Sequence, residues 1–422
     1  MNILTQNQGK VNLTIFSISK FLSALGGNIY AFGMGLYILS LTGSAGNFAI
    51  GMACSAVPRI LVGPVAGAWA DRFSRKKIII LTQLIEVLTL GGFFVISFLI
   101  EISLPLIYGT TAILSVCSTF SSITFSSSIP DLVNEGQIQK ATSLNQSAIS
   151  LATIGAPIIG GLLYGVLSIQ TFIAINAVAY LFSAALDSFL KFEKPDLGDN
   201  LNSEQTRNIW VEIKEGFTYV QSNYLLYKVI LPVGLWVNFF GVSMQVGLPY
   251  IVVQRLKLIS YQFGLIEASL AIGMLLMSIF LSTREETRKP LITMRISLII
   301  LSFLLGMMAI PLLLPASSSF NFVYYLGLLL AFGLTIVFLN TPLYVLVQKT
   351  TPEQYRGRVF GLVETVANVI APISMIFYGF LFDYLNPVWI LFASGLVLFL
   401  ITIYKMRVSK IQKSSSEISS AL

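Results

Sequence analysis

Ionisable side chains stand inside long apolar runs of this 422-residue chain, among them Arg59, Glu86, Glu267 and Glu364. A charge at the centre of a membrane helix costs about 2.5–3.5 kcal/mol on insertion scales, so it faces a cavity, a pathway or a partner. A carboxylate in such a place can exchange a proton near neutral pH or hold a cationic ligand. The plain alternative is a fixed ion pair, with Arg59 as the available cation. Glu86 and Glu364 lie nearer the inner face than Glu267. Asp187, close to the end of its run, can simply snorkel, and Lys20, near the start of the first run, reads as an interface anchor.

A second concentration of charge is Gly67-Ala68-Trp69-Ala70-Asp71-Arg72-Phe73-Ser74-Arg75-Lys76-Lys77. Its five charges sit at one short connection, with Gly67 one helical turn before Asp71. Arg72, Arg75 and Lys76 suit an anionic membrane surface. Arg356 and Arg358 form a comparable basic step before the eleventh run, where Asp71 could pair to close a gate.

The elements that must position these residues follow from composition. Only 11% of residues are charged, while 55% are hydrophobic. Soluble domains carry about 25% charged residues. A water-facing surface cannot be built here, and recurrent runs of about 20 apolar residues require membrane-spanning helices. The expected spans are 15–40, 46–70, 77–100, 105–127, 142–165, 169–190, 226–253, 260–282, 291–313, 321–345, 358–382 and 386–405. All Lys and Arg except Arg59, Arg255 and Lys257 lie in or beside the segments on one side if both termini are cytoplasmic. The basic bias therefore predicts that orientation. The net charge of +7 reflects this bias, and no nucleic-acid partner is expected.

The predicted organisation is an N-terminal six-helix half (1–190), a cytoplasmic linker (191–225), a C-terminal six-helix half (226–406) and a cytoplasmic tail (407–422). In the linker Ile209, Trp210, Ile213, Phe217 and Val220 recur at helical spacing, which predicts an amphipathic helix on the membrane face. The halves show weak self-similarity. The basic stretch 71–77 lies opposite 283–289, and Ala156-Pro157 lies opposite Ala371-Pro372. Repeats of this size occur in secondary transporters.

These signatures resemble the major facilitator superfamily over essentially the whole chain. Residues 67–77 are similar to its loop motif, with Ser74 where that motif has its second Gly. Leu41-Thr42-Gly43-Ser44, Pro58-Arg59, Gly63-Pro64, Ile129-Pro130-Asp131-Leu132-Val133 and Arg356-Gly357-Arg358-Val359-Phe360 look like a bacterial branch that includes macrolide-efflux and siderophore-export proteins. Gly155-Ala156-Pro157-Ile158-Ile159-Gly160-Gly161 resembles the antiporter signature of the fifth helix. Gly and Pro there permit bending and close backbone approach, although ordinary small-residue packing gives the same pattern. Two departures stand out. The fourth run, 105–127, has no charge where many drug/proton antiporters carry Arg, and Gly26 is followed by Gly27 and Asn28 rather than an acid.

The resemblance implies an all-α fold of twelve helices in two pseudo-symmetric bundles. It implies a monomeric, multi-pass protein of the cell membrane that exports lipophilic small molecules by alternating access, driven by protons or another coupling ion, with a role in antibiotic resistance. Tyr30, Tyr37, Trp236 and Phe240, on the first and seventh helices, could form an apolar wall for such a substrate or could pack against neighbouring helices. The alternative function is a lipid or lysolipid flippase, or an uncoupled facilitator. An enzyme is not expected. The chain has no His, its two Cys lie in apolar runs, and it lacks a Gly-x-x-x-x-Gly-Lys-Ser/Thr loop for ATP. No cofactor or metal is implied, and the expected partners are substrate, coupling ion and membrane lipid.

Overall fold

The computed structural model describes residues 6–133, 135–190, 217–223, 226–287, 289–314 and 316–406. Among them are twelve helices long and apolar enough to cross a membrane. They are α1 (Gln6–Thr42), α2 (Ala45–Arg72), α3 (Arg75–Leu99), α4 (Leu104–Leu132), α5 (Ile138–Val166), α6 (Ile169–Ser188), α7 (Leu231–Pro249), α8 (Ser260–Ser282), α9 (Pro290–Met307), α10 (Ser318–Thr350), α11 (Glu353–Tyr384) and α12 (Pro387–Lys405). All twelve expected spans are present. The helices α4, α10 and α11 run beyond the expected limits because their polar ends, such as Ser126–Ser128 and Glu353–Arg358, remain helical.

Local chemistry sets the boundaries. Ser44, Ser168, Ser317 and Asn386 cap the starts of α2, α6, α10 and α12 by accepting from backbone N–H groups. Gly43 turns the chain between α1 and α2 at φ +65, a left-handed conformation that glycine adopts without steric cost. Wide π-type turns, Leu226–Ile230 and Tyr250–Arg255, flank α7 at both ends.

The helices gather into two compact units. One comprises Met1–Leu197 with Ile259–Ala268, and the other comprises Gly198–Leu258 with Ser269–Leu422. In the first, α1 packs on α5 and α6, and α3 packs on α4 and α6. In the second, α7 packs on α11, and α9 packs on α10 and α12. The second set of partners largely repeats the first at a shift of six helices. Of the linker, 217–223 is described. Its helical turn holds Tyr219 stacked on Tyr355 of α11, ring centroids 4.6 Å apart, and Val220 is buried. Ile209, Trp210 and Ile213 lie outside the described residues, as does the tail 407–422.

Apolar side chains cover the outside of the helices, as Leu61, Leu88, Phe182, Phe303 and Trp389 show. Lipid tails are as apolar as leucine, so helix association depends on close packing rather than on escape from water. The second unit achieves it at glycines, Gly273 and Gly333 among them. A Cβ on Gly333 would stand 2.0 Å from the Leu270 carbonyl oxygen, and one on Gly273 would stand 2.3 Å from that of Leu330. The backbones of α8 and α10 therefore touch. Gly333→Ala should lower stability by about 1–3 kcal/mol and reduce the monodisperse yield in detergent. Gly327→Ala on the same helix, where a Cβ meets nothing within 4 Å, should leave both unchanged. Equal tolerance of the two changes would show that this approach is not required.

Candidate functional site

The first unit contains a polar layer between two apolar clusters. One cluster is built on Leu13, Phe16, Ile79, Phe125 and Leu190. The other is built on Ile29, Tyr30, Leu90, Phe93, Leu114, Phe172 and Tyr180. Between them, α1 brings Ser19, Lys20 and Ser23, α3 brings Gln83 and Glu86, α4 brings Ser122, and α6 brings Ser183 and Asp187. Lys20, Gln83, Glu86, Ser183 and Asp187 are all buried.

The layer is joined by hydrogen bonds. Gln83 Nε2 donates to Asp187 Oδ2 at 2.5 Å and to Ser183 Oγ at 3.1 Å. Ser183 Oγ lies 2.8 Å from Ser19 Oγ and 2.5 Å from Ser23 Oγ. Lys20 Nζ donates to Ser122 Oγ at 3.3 Å and stands 5.4 Å from the centre of the Phe125 ring. Its ammonium is within electrostatic reach of both Asp187 and Glu86, yet among the described residues it closes no direct ion pair with either.

This arrangement corrects three expectations. Lys20 is not an interface anchor: it is buried because α1 turns it toward two carboxylates and an aromatic face. Asp187 does not snorkel: Gln83 holds it inside. Arg59 is not the partner of Glu86. It lies exposed on α2, and the cation facing Glu86 is Lys20.

The basic stretch that follows α2 is organised by α4 and α6. Arg75 Nη1 donates to Asp131 Oδ2 at 2.5 Å and to the Ser127 carbonyl at 2.9 Å. Arg75 Nε donates to the Ala70 carbonyl at 3.3 Å. Lys76 Nζ donates to the carbonyls of Ser188 and Leu190 at 2.7 and 2.8 Å, a favourable place for a cation at the end of α6. Arg72 is exposed. A Cβ on Gly67 would meet nothing within 4 Å. Asp71 lies in the last turn of α2, and its side chain falls outside the described residues. In the second unit Lys349, at the end of α10, pairs with Glu286. That contact repeats the Arg75–Asp131 pairing with its polarity reversed. Arg356 Nε donates to the carbonyls of Gln348 and Thr351, both at 3.1 Å, and Arg358 sits over the Tyr355 ring at 5.8 Å.

The small residues of α5 meet two helices. Gly160 faces Phe32 of α1. A Cβ on Gly161 would stand 2.5 Å from the Ser260 carbonyl oxygen, and one on Gly264 would stand 2.2 Å from that of Pro157. Gly155 makes only ordinary contact with Leu25. Glu267, one turn beyond Gly264 on α8, is half-buried and forms no ion pair among the described residues. Glu364 is exposed on α11.

Of the four aromatics, Tyr30 belongs to the apolar core of the first unit and Tyr37 packs against that core. Trp236 stacks on Phe240 at 5.8 Å and meets Phe239 edge-on at 6.0 Å. Phe239 continues the contact to Phe377 and Tyr378 of α11 at 5.6 and 5.5 Å. The α11 rings and Asp131 had no assigned role in the sequence reading. Lys20, Gln83 and Asp187 were legible as polar positions on three helices, repeated at i, i+3 or i, i+4.

Twelve membrane helices in two units with repeated pairings define a polytopic membrane protein of transporter architecture. The sequence profile of the Major Facilitator Superfamily matches residues 16–375, and the chain belongs to that superfamily. Macrolide efflux protein A of Streptococcus pyogenes is 26% identical over 378 residues, which cover 89% of this chain and 91% of the relative. Macrolide efflux protein A of Enterococcus faecalis is 27% identical over 320 residues, 76% of this chain and 96% of the relative. The fold superposes on a bacterial homologue of the iron transporter ferroportin with a TM-score of 0.68 at 16% identity, covering 94% and 98% of the two chains.

The Arg75–Asp131 bond should contribute about 1 kcal/mol, because both side chains are only partly exposed and the guanidinium also holds carbonyls. Asp131→Asn should lower the apparent melting temperature in detergent, and adding Arg75→Gln should cost little more. Strictly additive losses in this double-mutant cycle would contradict a direct coupling.

Proposed function

We propose that this protein is a secondary exporter of hydrophobic and amphiphilic compounds of the macrolide type. It works by alternating access and is driven by the proton gradient, from the cell membrane, with both termini cytoplasmic. The similarity to macrolide efflux proteins along nearly the full length of both chains carries this reading. The apolar exterior and the basic bias of one set of connections support the placement.

Roles follow for the residues already located. Gly67, Asp71, Arg72, Arg75, Lys76, Arg356 and Arg358 belong to the gating connections. Gly155, Pro157, Gly160 and Gly161 let α5 bend and pack closely while the protein changes state. Trp236 and Phe240, with their α11 neighbours, offer aromatic surface suited to a lipophilic substrate. Glu267 is a carboxylate on an apolar helix with no ion-pair partner among the described residues, and it suits a cationic amine on such a substrate.

Expression in an efflux-deficient host should lower the accumulation of erythromycin and other lipophilic drugs, and an uncoupler should abolish the effect. Unchanged accumulation across the panel would contradict drug export, and export that survives the uncoupler would contradict proton drive. Glu267→Gln should weaken export of cationic compounds by roughly tenfold, the factor for about 1.4 kcal/mol, and spare neutral ones. Equal loss for both classes would remove Glu267 from substrate recognition.

A further inference from the structure

We propose that the polar layer of the first unit is the proton-carrying site of the transport cycle, with Asp187 and Glu86 sharing the charge of Lys20. This rests on the reading of proton-driven export. Two carboxylates against one ammonium leave one negative charge buried between apolar clusters. An interior of that kind does not keep an uncompensated charge without a counter-ion. A single proton, or its absence, decides whether the layer is neutral.

The hydrogen bonding points the same way. The layer holds acceptor oxygens that its donors do not reach. Among the described residues, Asp187 Oδ1 and Gln83 Oε1 are both buried without a hydrogen-bond partner of normal geometry, in residues that are 1% and 0% exposed. Asp187 Oδ2 accepts from Gln83 Nε2, and Ser19 also stands beside this carboxylate. The transfer is balanced: hydronium gives a proton to the carboxylate, leaving water and a neutral acid. The serines Ser19, Ser23 and Ser183 form a continuous hydroxyl chain beside it.

The other titratable groups facing the layer are few. Cys117 of α4 and Tyr180 of α6 face Glu86, and Tyr30 of α1 faces Tyr180. Lys76 of α3 is engaged with carbonyls just beyond Asp187. Asp131 of α4 is bonded to Arg75. Lys20 is thus the ammonium both carboxylates share.

The test needs no drug, so its outcome is separable from that of the export reading. The purified full-length protein in detergent is moved from alkaline to mildly acidic pH with a soluble indicator dye reporting proton uptake. Asp187→Asn should take up one proton fewer per chain than the unmodified protein, and Glu86→Gln should do the same. Combining Lys20→Met with Asp187→Asn restores one unbalanced carboxylate, Glu86, and should restore that proton. Monodisperse elution of each variant is checked first. Should Asp187→Asn fail to fold, Glu86→Gln alone and combined with Lys20→Met gives the same comparison through Asp187. Equal uptake by all variants would overturn the proposal. So would a double variant that stays at the level of its single parent, or uptake that depends on sodium.

Discussion

A charge buried among membrane helices must find its counter-charge inside the protein, and the first unit is arranged around that constraint. Lys20, Glu86 and Asp187 come from three helices, and each would be costly alone. Together they require α1, α3 and α6 to stay in register, since the Ser19–Ser183 and Gln83–Asp187 bonds tie those helices at one level. Aromatic and aliphatic clusters flank that level on both sides. The same residues therefore tie the packing of the bundle to its buried charges.

A second principle operates at the helix ends. The connection after α2 is fixed by Arg75 to Asp131, and its counterpart in the second unit by Glu286 to Lys349. The position of the contact is repeated while its polarity is reversed. An attractive pair stands at each of the two equivalent places, with the order of charges exchanged. The weak likeness of 283–289 to 71–77 in sequence is what such a reversal leaves behind. Glycines complete the scaffold where side chains would hold helices apart, at Gly161 and Gly264 in one unit and Gly273 and Gly333 in the other.

Span number was legible because apolar runs of this length have one solution in a bilayer, whereas helix limits were not where polar ends stay helical, as in α1, α4, α10 and α11. The charged residues within the spans were legible as candidates, but their partners were not. Periodicity places Glu86 on a helix face without saying which helix it meets, so Arg59 stood as the available cation and Lys20 as an anchor. The anchor reading of Lys20 failed because snorkelling depends on rotation of α1, which packing on α5 and α6 sets. Arg75 was visible from its motif, whereas its bond to Asp131 depends on α4 continuing through Pro130 to Leu132.

The proposed proton site is a buried carboxyl group that changes protonation state. Infrared difference spectroscopy of the purified protein in lipid observes that group directly. Lowering the pH should raise the carbonyl stretch of a protonated carboxylic acid, and Asp187→Asn should remove or shift that band. An identical difference spectrum for the unmodified protein and Asp187→Asn at every pH would contradict it.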